Sequence, residues 1–186
     1  MRNDVPMLND RPMRNDGPMR NDGPTRNDRP MLNDKPMLVD KPVLIDKPGI
    51  ARLIPHTGAM CLLDGVHSWN ETHIQCVTAT HLSTDNPLRR SHQLGILSGV
   101  EYAAQAMALH GALADNDDPV RAPVGYLASL RSIVCHAGRL DLLPGVLLVE
   151  AACLHREPTG ALYNFILRHK ANTLLEGRAA VIFTTT

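Results

Sequence analysis

Ser98-Gly99-Val100-Glu101-Tyr102-Ala103-Ala104-Gln105-Ala106-Met107-Ala108-Leu109-His110-Gly111 is the stretch whose reading decides the fold. Alanine is the best helix former, and the run Asp115-Asn116-Asp117-Asp118-Pro119 is a strong stop, so a single long helix is expected over 98–114. Ala103, Ala104, Ala106, Ala108, Ala112 and Ala114 keep it thin, so that its axis can lie close to whatever surrounds it. Glu101 is the one carboxylate in this segment, and its neighbours are too small to hide it. That makes it the first candidate for chemistry.

Working outward, 62–69 and 73–80 read as strands joined by a turn at Asn70-Glu71, after a short helical turn over 50–54 that ends before Pro55. Residues 82–94 are polar and contain Asp85-Asn86-Pro87, which reads as a loop. Beyond the helix come four strand-like segments, 123–137, 145–155, 161–169 and 173–184. Pro144-Gly145, Pro158 to Gly160 and Lys170 to Asn172 separate them. A sheet of about six strands with one helix on a single face is an α+β arrangement.

Residues 1–48 are different in kind. They form eight tandem hexapeptides, from Met-Arg-Asn-Asp-Val-Pro to Val-Leu-Ile-Asp-Lys-Pro, each with Asp at its fourth position and Pro at its sixth. A proline every six residues removes backbone donors at regular intervals, and the early units hold too few apolar residues to offset the entropy of ordering them. A hexapeptide β-helix has the same period but needs inward-pointing aliphatic residues and unbroken ladders. The expected division is therefore a disordered low-complexity repeat over 1–48 and a single domain over 49–186. Methionine opens six of the eight units, so translation has several possible starts within the repeat.

Charge excludes several functions. Lys and Arg number 19, Asp and Glu 19, and neither the repeat nor the domain carries the one-sign excess that binds a phosphate backbone or an anionic membrane. Arg89-Arg90 is the one adjacent basic pair and is expected to be solvated. Cys61, Cys76, Cys135 and Cys153 form no Cys-x-x-Cys pair, and the histidines show no metal-ligand spacing. Free buried thiols, no metal, no cofactor and a cytoplasmic location are expected, with no membrane span and no secretory signal.

Several of these segments resemble the 3-hydroxyacyl-(acyl carrier protein) dehydratases of type II fatty acid synthesis. Pro55-His56-Thr57-Gly58-Ala59-Met60-Cys61-Leu62-Leu63-Asp64 is similar to that family's Pro-His-Arg-x-Pro-x-x-Leu-x-Asp. Ser98-Gly99-Val100 followed by Glu101-Tyr102-Ala103-Ala104-Gln105 is similar to its Pro-Gly-Val and Glu-Ala-x-Ala-Gln, shortened by about three residues between them. Gly125 to Arg131 and Pro144-Gly145 sit where the family carries glycine-led strand segments. The family's His-Phe-Pro-Gly run is missing, and His92 lies in the corresponding loop. The shortened form looks more like a divergent branch found in aryl-polyene and related polyketide-like gene clusters.

The resemblance implies a hotdog fold, a curled antiparallel sheet wrapped round the long helix. It also implies a dehydratase-like protein acting on a 3-hydroxyacyl thioester of acyl carrier protein. The partner would be a second copy or a second dehydratase-like subunit. A hotdog acyl thioesterase and a non-catalytic partner subunit are the alternatives.

Dehydration needs a base for the C2 proton, an acid for the C3 hydroxyl and a donor for the thioester oxygen. Glu101 with His56 or His92 are the candidate acid and base. The backbone N–H groups at Gly99 and Val100 are the candidate thioester donors, because a helix leaves its first amides without partners. Gln105, one turn after Glu101, is placed with the substrate-binding residues and could orient the carboxylate. Each has a plainer reading. Ser98 and Glu101 match a Ser-x-x-Glu capping box; His56 could brace a turn, and His92 could be a solvated loop residue. His110 is expected to cap helix carbonyls. Asp64 is expected to bond nearby backbone. A helix N-terminus favours ionised Glu101 whereas a general acid must be protonated, so burial and dipole oppose each other.

Overall fold

The computed structural model describes residues 42–114 and 125–183. Most of the repeat, with its expected disorder, and the stop at 115–119 lie outside the described residues. The last repeat unit does not. Ile45–Asp46 form β1, the Asp46 carboxylate accepts from the Gly49 amide at 3.0 Å, and helix α1 runs Lys47–Leu53 with Pro48 in its first turn. This is the chemistry of a helix start: an Asp cap satisfies a free amide, and proline's fixed φ and missing N–H cost nothing there. The helix therefore begins earlier than the turn expected over 50–54, and its first residues belong to the repeat.

Val43 lies against Gly65, where an added Cβ would come within 2.8 Å of its side chain, and Lys47 pairs with Asp64 at 2.9 Å. Removal of residues 1–41 is expected to leave the melting temperature unchanged. Removal of 1–46, which the sequence alone would allow, also deletes β1 and the cap, and should lower the melting midpoint by about 3 °C or more. Thermal unfolding of both truncations followed by circular dichroism checks this.

The remaining strands are β2 (Gly65–Trp69), β3 (His73–Thr78), β4 (Gly125–Cys135), β5 (Leu147–Glu157), β6 (Gly160–His169) and β7 (Asn172–Phe183). Among the described residues they form one antiparallel sheet of seven strands, β1 included, in the order β1-β2-β3-β5-β6-β7-β4. That is one more than the six expected, because β1 is too short to read from sequence. Alternation sets the inner face: Ile74, Cys76 and Thr78 on β3, and Ala161, Tyr163, Phe165 and Leu167 on β6, all point inward.

Helix α2 (Gly99–Ala114) packs against β3, β5 and β6, and 11 of its 16 residues are buried. A helix buried on almost every side is a core helix rather than an amphipathic surface one. Gly99 shows how tight the fit is. A Cβ there would meet Leu167 Cδ2 at 2.6 Å and Leu175 Cδ2 at 2.8 Å. The expected α+β hotdog architecture, a curled sheet round one long helix, is the observed one.

Two surface expectations change. Arg89 is not a solvated partner of Arg90. Its guanidinium donates to the carbonyls of His81, Ser83 and His92 and pairs with Asp141 at 3.2 Å. Asp141 also pairs with Arg139 at 2.6 Å, and that guanidinium holds its carboxyl well below the usual range. Of the cysteines, Cys61 and Cys76 are buried, and burial pushes both thiols up, whereas Cys135 is exposed and Cys153 half-buried.

Candidate active site

The face of α2 that the sheet leaves half-open is defined by Glu101, Ala104 and Ala108, at spacings of three and four residues. With Gly111 they floor a cavity of about 170 Å³. Pro55 and His56 stand at the Glu101 end. Tyr126 and Leu127 from β4 and Val181 from β7 form a wall, and Arg156, Tyr163 and Phe183 also line it. The small side chains read from the sequence leave this space along the helix.

His56 and Glu101 meet. His56 Nε2 lies 3.3 Å from Glu101 Oε1, with both side chains partly exposed. Pro55 brings the chain out of α1 into the turn that delivers His56 to the helix. Gln105 Nε2 donates to the same Glu101 oxygen at 3.0 Å and to the Met60 carbonyl at 2.8 Å, while Gln105 Oε1 accepts from the Leu62 amide at 2.9 Å. Gln105 is fully buried and does not line the cavity. Its place is therefore behind Glu101, bonded to the carboxylate and tying α2 to 60–62.

Burial pushes the Glu101 carboxyl up, but hydrogen bonds from His56 and Gln105, and then the charge of His56, outweigh it. The group ends below its ordinary value. This decides the sequence-level opposition in favour of the ionised form, and the cause is these two side chains. The capping-box reading does not hold. Among the described residues the Ser98 side chain makes no hydrogen bond, and the Glu101 carboxylate is turned to His56 and Gln105.

Two other expectations need correction. A 3₁₀ turn, Ile96–Ser98, runs directly into α2, so the Gly99 amide already donates to Ile96 and Leu97 carbonyls. Neither Gly99 nor Val100 lines the cavity. Gly99 is there for close packing, and its amide is not a free thioester donor. His92 is exposed, at φ 62°, beside an isolated bridge between Arg90 and Gln93. It is held there by Arg89 and takes no part in lining the cavity. Of the two candidate histidines, the structure brings only His56 to Glu101.

Sequence reading missed the role of His110 and the cavity face of β4, β5 and β7. His110 is buried in the C-terminal part of α2, with Nε2 2.9 Å from the Asn70 carbonyl and Nδ1 3.0 Å from the Tyr163 hydroxyl. Asp64 does bond backbone as expected, accepting from the Ala79 amide at 2.7 Å. No signal along the chain could place Arg156 or Phe183 in the cavity that Glu101 lines, because sheet pairing alone brings them there.

A family model described as ApeP-like, ApeP dehydratase, matches residues 48–185. The chain belongs to the ApeP-like dehydratase family. That dehydratase family carries the resemblance read from Pro55 to Asp64 and from Ser98 to Gln105. Among solved structures, the dehydratase heterocomplex ApeI:P from Xenorhabdus doucetiae is similar at 19% identity, with a TM-score of 0.65, covering 74% of this chain and 91% of that one. This likeness shows the hotdog fold. AziG from S. sahachiroi is similar at 16% identity and a TM-score of 0.46, covering 68% of this chain and 94% of that one. A hypothetical thioesterase with coenzyme A from Streptococcus pneumoniae TIGR4 stands at 13% and 0.47, with 65% of this chain and 85% of that one covered. A comparison with curated proteins finds no match. No helix among the described residues is long and apolar enough to cross a membrane.

Proposed function

We propose that this protein dehydrates 3-hydroxyacyl thioesters carried on acyl carrier protein, in aryl-polyene or fatty-acid-type biosynthesis, with Glu101 and His56 as the acid–base pair. The observation that carries the proposal is the contact between an ionised carboxylate and an imidazole at one end of a narrow cavity, in a chain of a dehydratase family. The Glu101 carboxylate takes the proton from C2, and the C2–H electrons form the new double bond. The C3–O bond breaks, and protonated His56 gives its proton to the departing hydroxyl, which leaves as water. Glu101 is then protonated and His56 neutral. One proton transfer across the 3.3 Å contact restores both.

The heterocomplex relative favours a second dehydratase-like subunit as partner, with a second copy of this chain as the simpler form. Among the described residues, β4 is the terminal strand of the sheet and pairs with β7. Tyr126, Leu127, Leu130 and Val134 on it are exposed. An unpaired edge carrying apolar residues is a surface that native proteins cover. A subunit docked there would complete the cavity wall, since Tyr126 and Leu127 belong to both. Free cysteines fit a reducing, cytoplasmic setting.

One observation favours a second reading. An ionised Glu101 on a cavity wall can also direct water at a thioester, which is thioesterase chemistry and needs no histidine. Mass spectrometry of 3-hydroxyacyl-carrier protein incubated with the protein, alone and with a dehydratase-like partner subunit, separates the two. Loss of one water from the acyl group is the expected result. Loss of the whole acyl group would replace this function with hydrolysis, and an unchanged acyl group in both mixtures would leave only a scaffold.

A further inference from the structure

The floor of the cavity follows one face of α2 from Glu101 to Gly111. Ten steps along the helix at about 1.5 Å each make this about 15 Å long. The acid–base pair stands at one end, and at the other the floor reaches the guanidinium of Arg156. Arg156 Nη2 donates to the Gly111 carbonyl at 3.4 Å, and Arg156 Cζ lies 5.4 Å from the centre of the Phe183 ring. An added Cβ on Gly111 would touch Nη1 and Nη2 at 3.6 and 3.7 Å. The guanidinium therefore lies across the helix at the last position of the groove, clamped between a carbonyl and an aromatic face. Most of the remaining lining is small or apolar, with Ala104, Met107, Ala108, Leu127 and Val181, and the rings of Tyr126 and Tyr163 face it too.

We infer that Arg156 is the end stop of the acyl groove and sets the longest acyl chain the protein accepts. The inference rests on the acyl-thioester reading above. With the thioester at Glu101, the chain must run along the alanine floor, because that is where the space is. A methyl terminus reaching Gly111 meets a charged group. To go further, the chain must displace the guanidinium from the Gly111 carbonyl and the Phe183 ring and strip water from it, which is costly for an apolar group to bring about. Acceptance should therefore fall off sharply at one length, where a purely apolar end would yield gradually.

The test uses a series of 3-hydroxyacyl-carrier proteins of increasing chain length for turnover. A matching series of non-hydrolysable acyl-pantetheine amides measures binding by calorimetry, which reads the length limit independently of chemistry. Arg156→Ala should move the longest accepted chain upward, with kcat/KM for the first excluded length rising on the order of tenfold. Ala108→Leu, which fills the groove midway and leaves Arg156 in place, should move the limit downward while the shortest chain is still turned over. An unchanged length order in both variants, in turnover or in binding, would overturn the inference. A length limit that shifts in binding without any dehydration would uphold the end stop and sink the dehydratase reading instead.

Discussion

Glu101→Gln abolishes turnover, with kcat falling by a factor on the order of a hundred to ten thousand, while the melting temperature stays within a few degrees of the parent. The substitution keeps the shape of the side chain and removes the charge. An amide cannot accept a proton from C2, and the ionised state that His56 and Gln105 maintain is gone. Stability should change little because the side chain is partly exposed and its partners remain satisfiable; Gln105 can still donate to the new amide oxygen. The native carboxyl lies below its ordinary value. Its contribution to stability is thus fully present above the unfolded value and is lost as pH falls through the folded one. For the same reason the acid limb of kcat/KM should lie below the ordinary glutamate range. An acid limb above that range would show that Glu101 is not the base.

His56→Ala separates the chemistries. A dehydratase loses its proton donor, and activity should fall by a factor on the order of a hundred or more, whereas a thioesterase run by Glu101 alone should persist. The acid limb of the variant's residual activity should lie at higher pH than the parent's, since His56 is one of the groups holding the Glu101 carboxyl down. The pH profile of kcat/KM, measured by the release of water from the acyl chain, checks this. The variant is safe to make: His56 is only partly buried and sits in a turn, not in the sheet.

The helix, the strand order along the chain and the loops were legible in the sequence because each rests on local chemistry. Alanines define α2, and alternation defines β3 and β6. Glu101 and His56 were legible as candidates, but their pairing depends on where Pro55 turns the chain, which no periodicity reports. The Gly99 amide is taken for a local reason. A helix that opens directly from a 3₁₀ turn has its first amide already occupied, and Ile96-Leu97-Ser98 carries no mark of that turn. His92 stands apart from Glu101 for a distant one. Arg89 reaches Asp141, about fifty residues on, and fixes the loop on the outside of the molecule. Arg156 was invisible because it reaches the groove through the pairing of β5 with β6 and of β6 with β7.

The Asp46 cap has a genetic consequence. Every one of the eight hexapeptides keeps Asp fourth and Pro sixth, so whichever unit abuts Gly49 presents the same cap three residues before it and the same proline one residue before it. Tandem arrays gain and lose whole copies when they are replicated. Here such slippage changes the length of the leader in steps of six residues and still delivers a competent start for α1. The two units nearest the domain, Met37-Leu38-Val39-Asp40-Lys41-Pro42 and Val43-Leu44-Ile45-Asp46-Lys47-Pro48, are also the most alike in their apolar third position. Loss of the last copy would put Val39 where Ile45 now lies, and copy number could drift while the domain behind it kept its first helix.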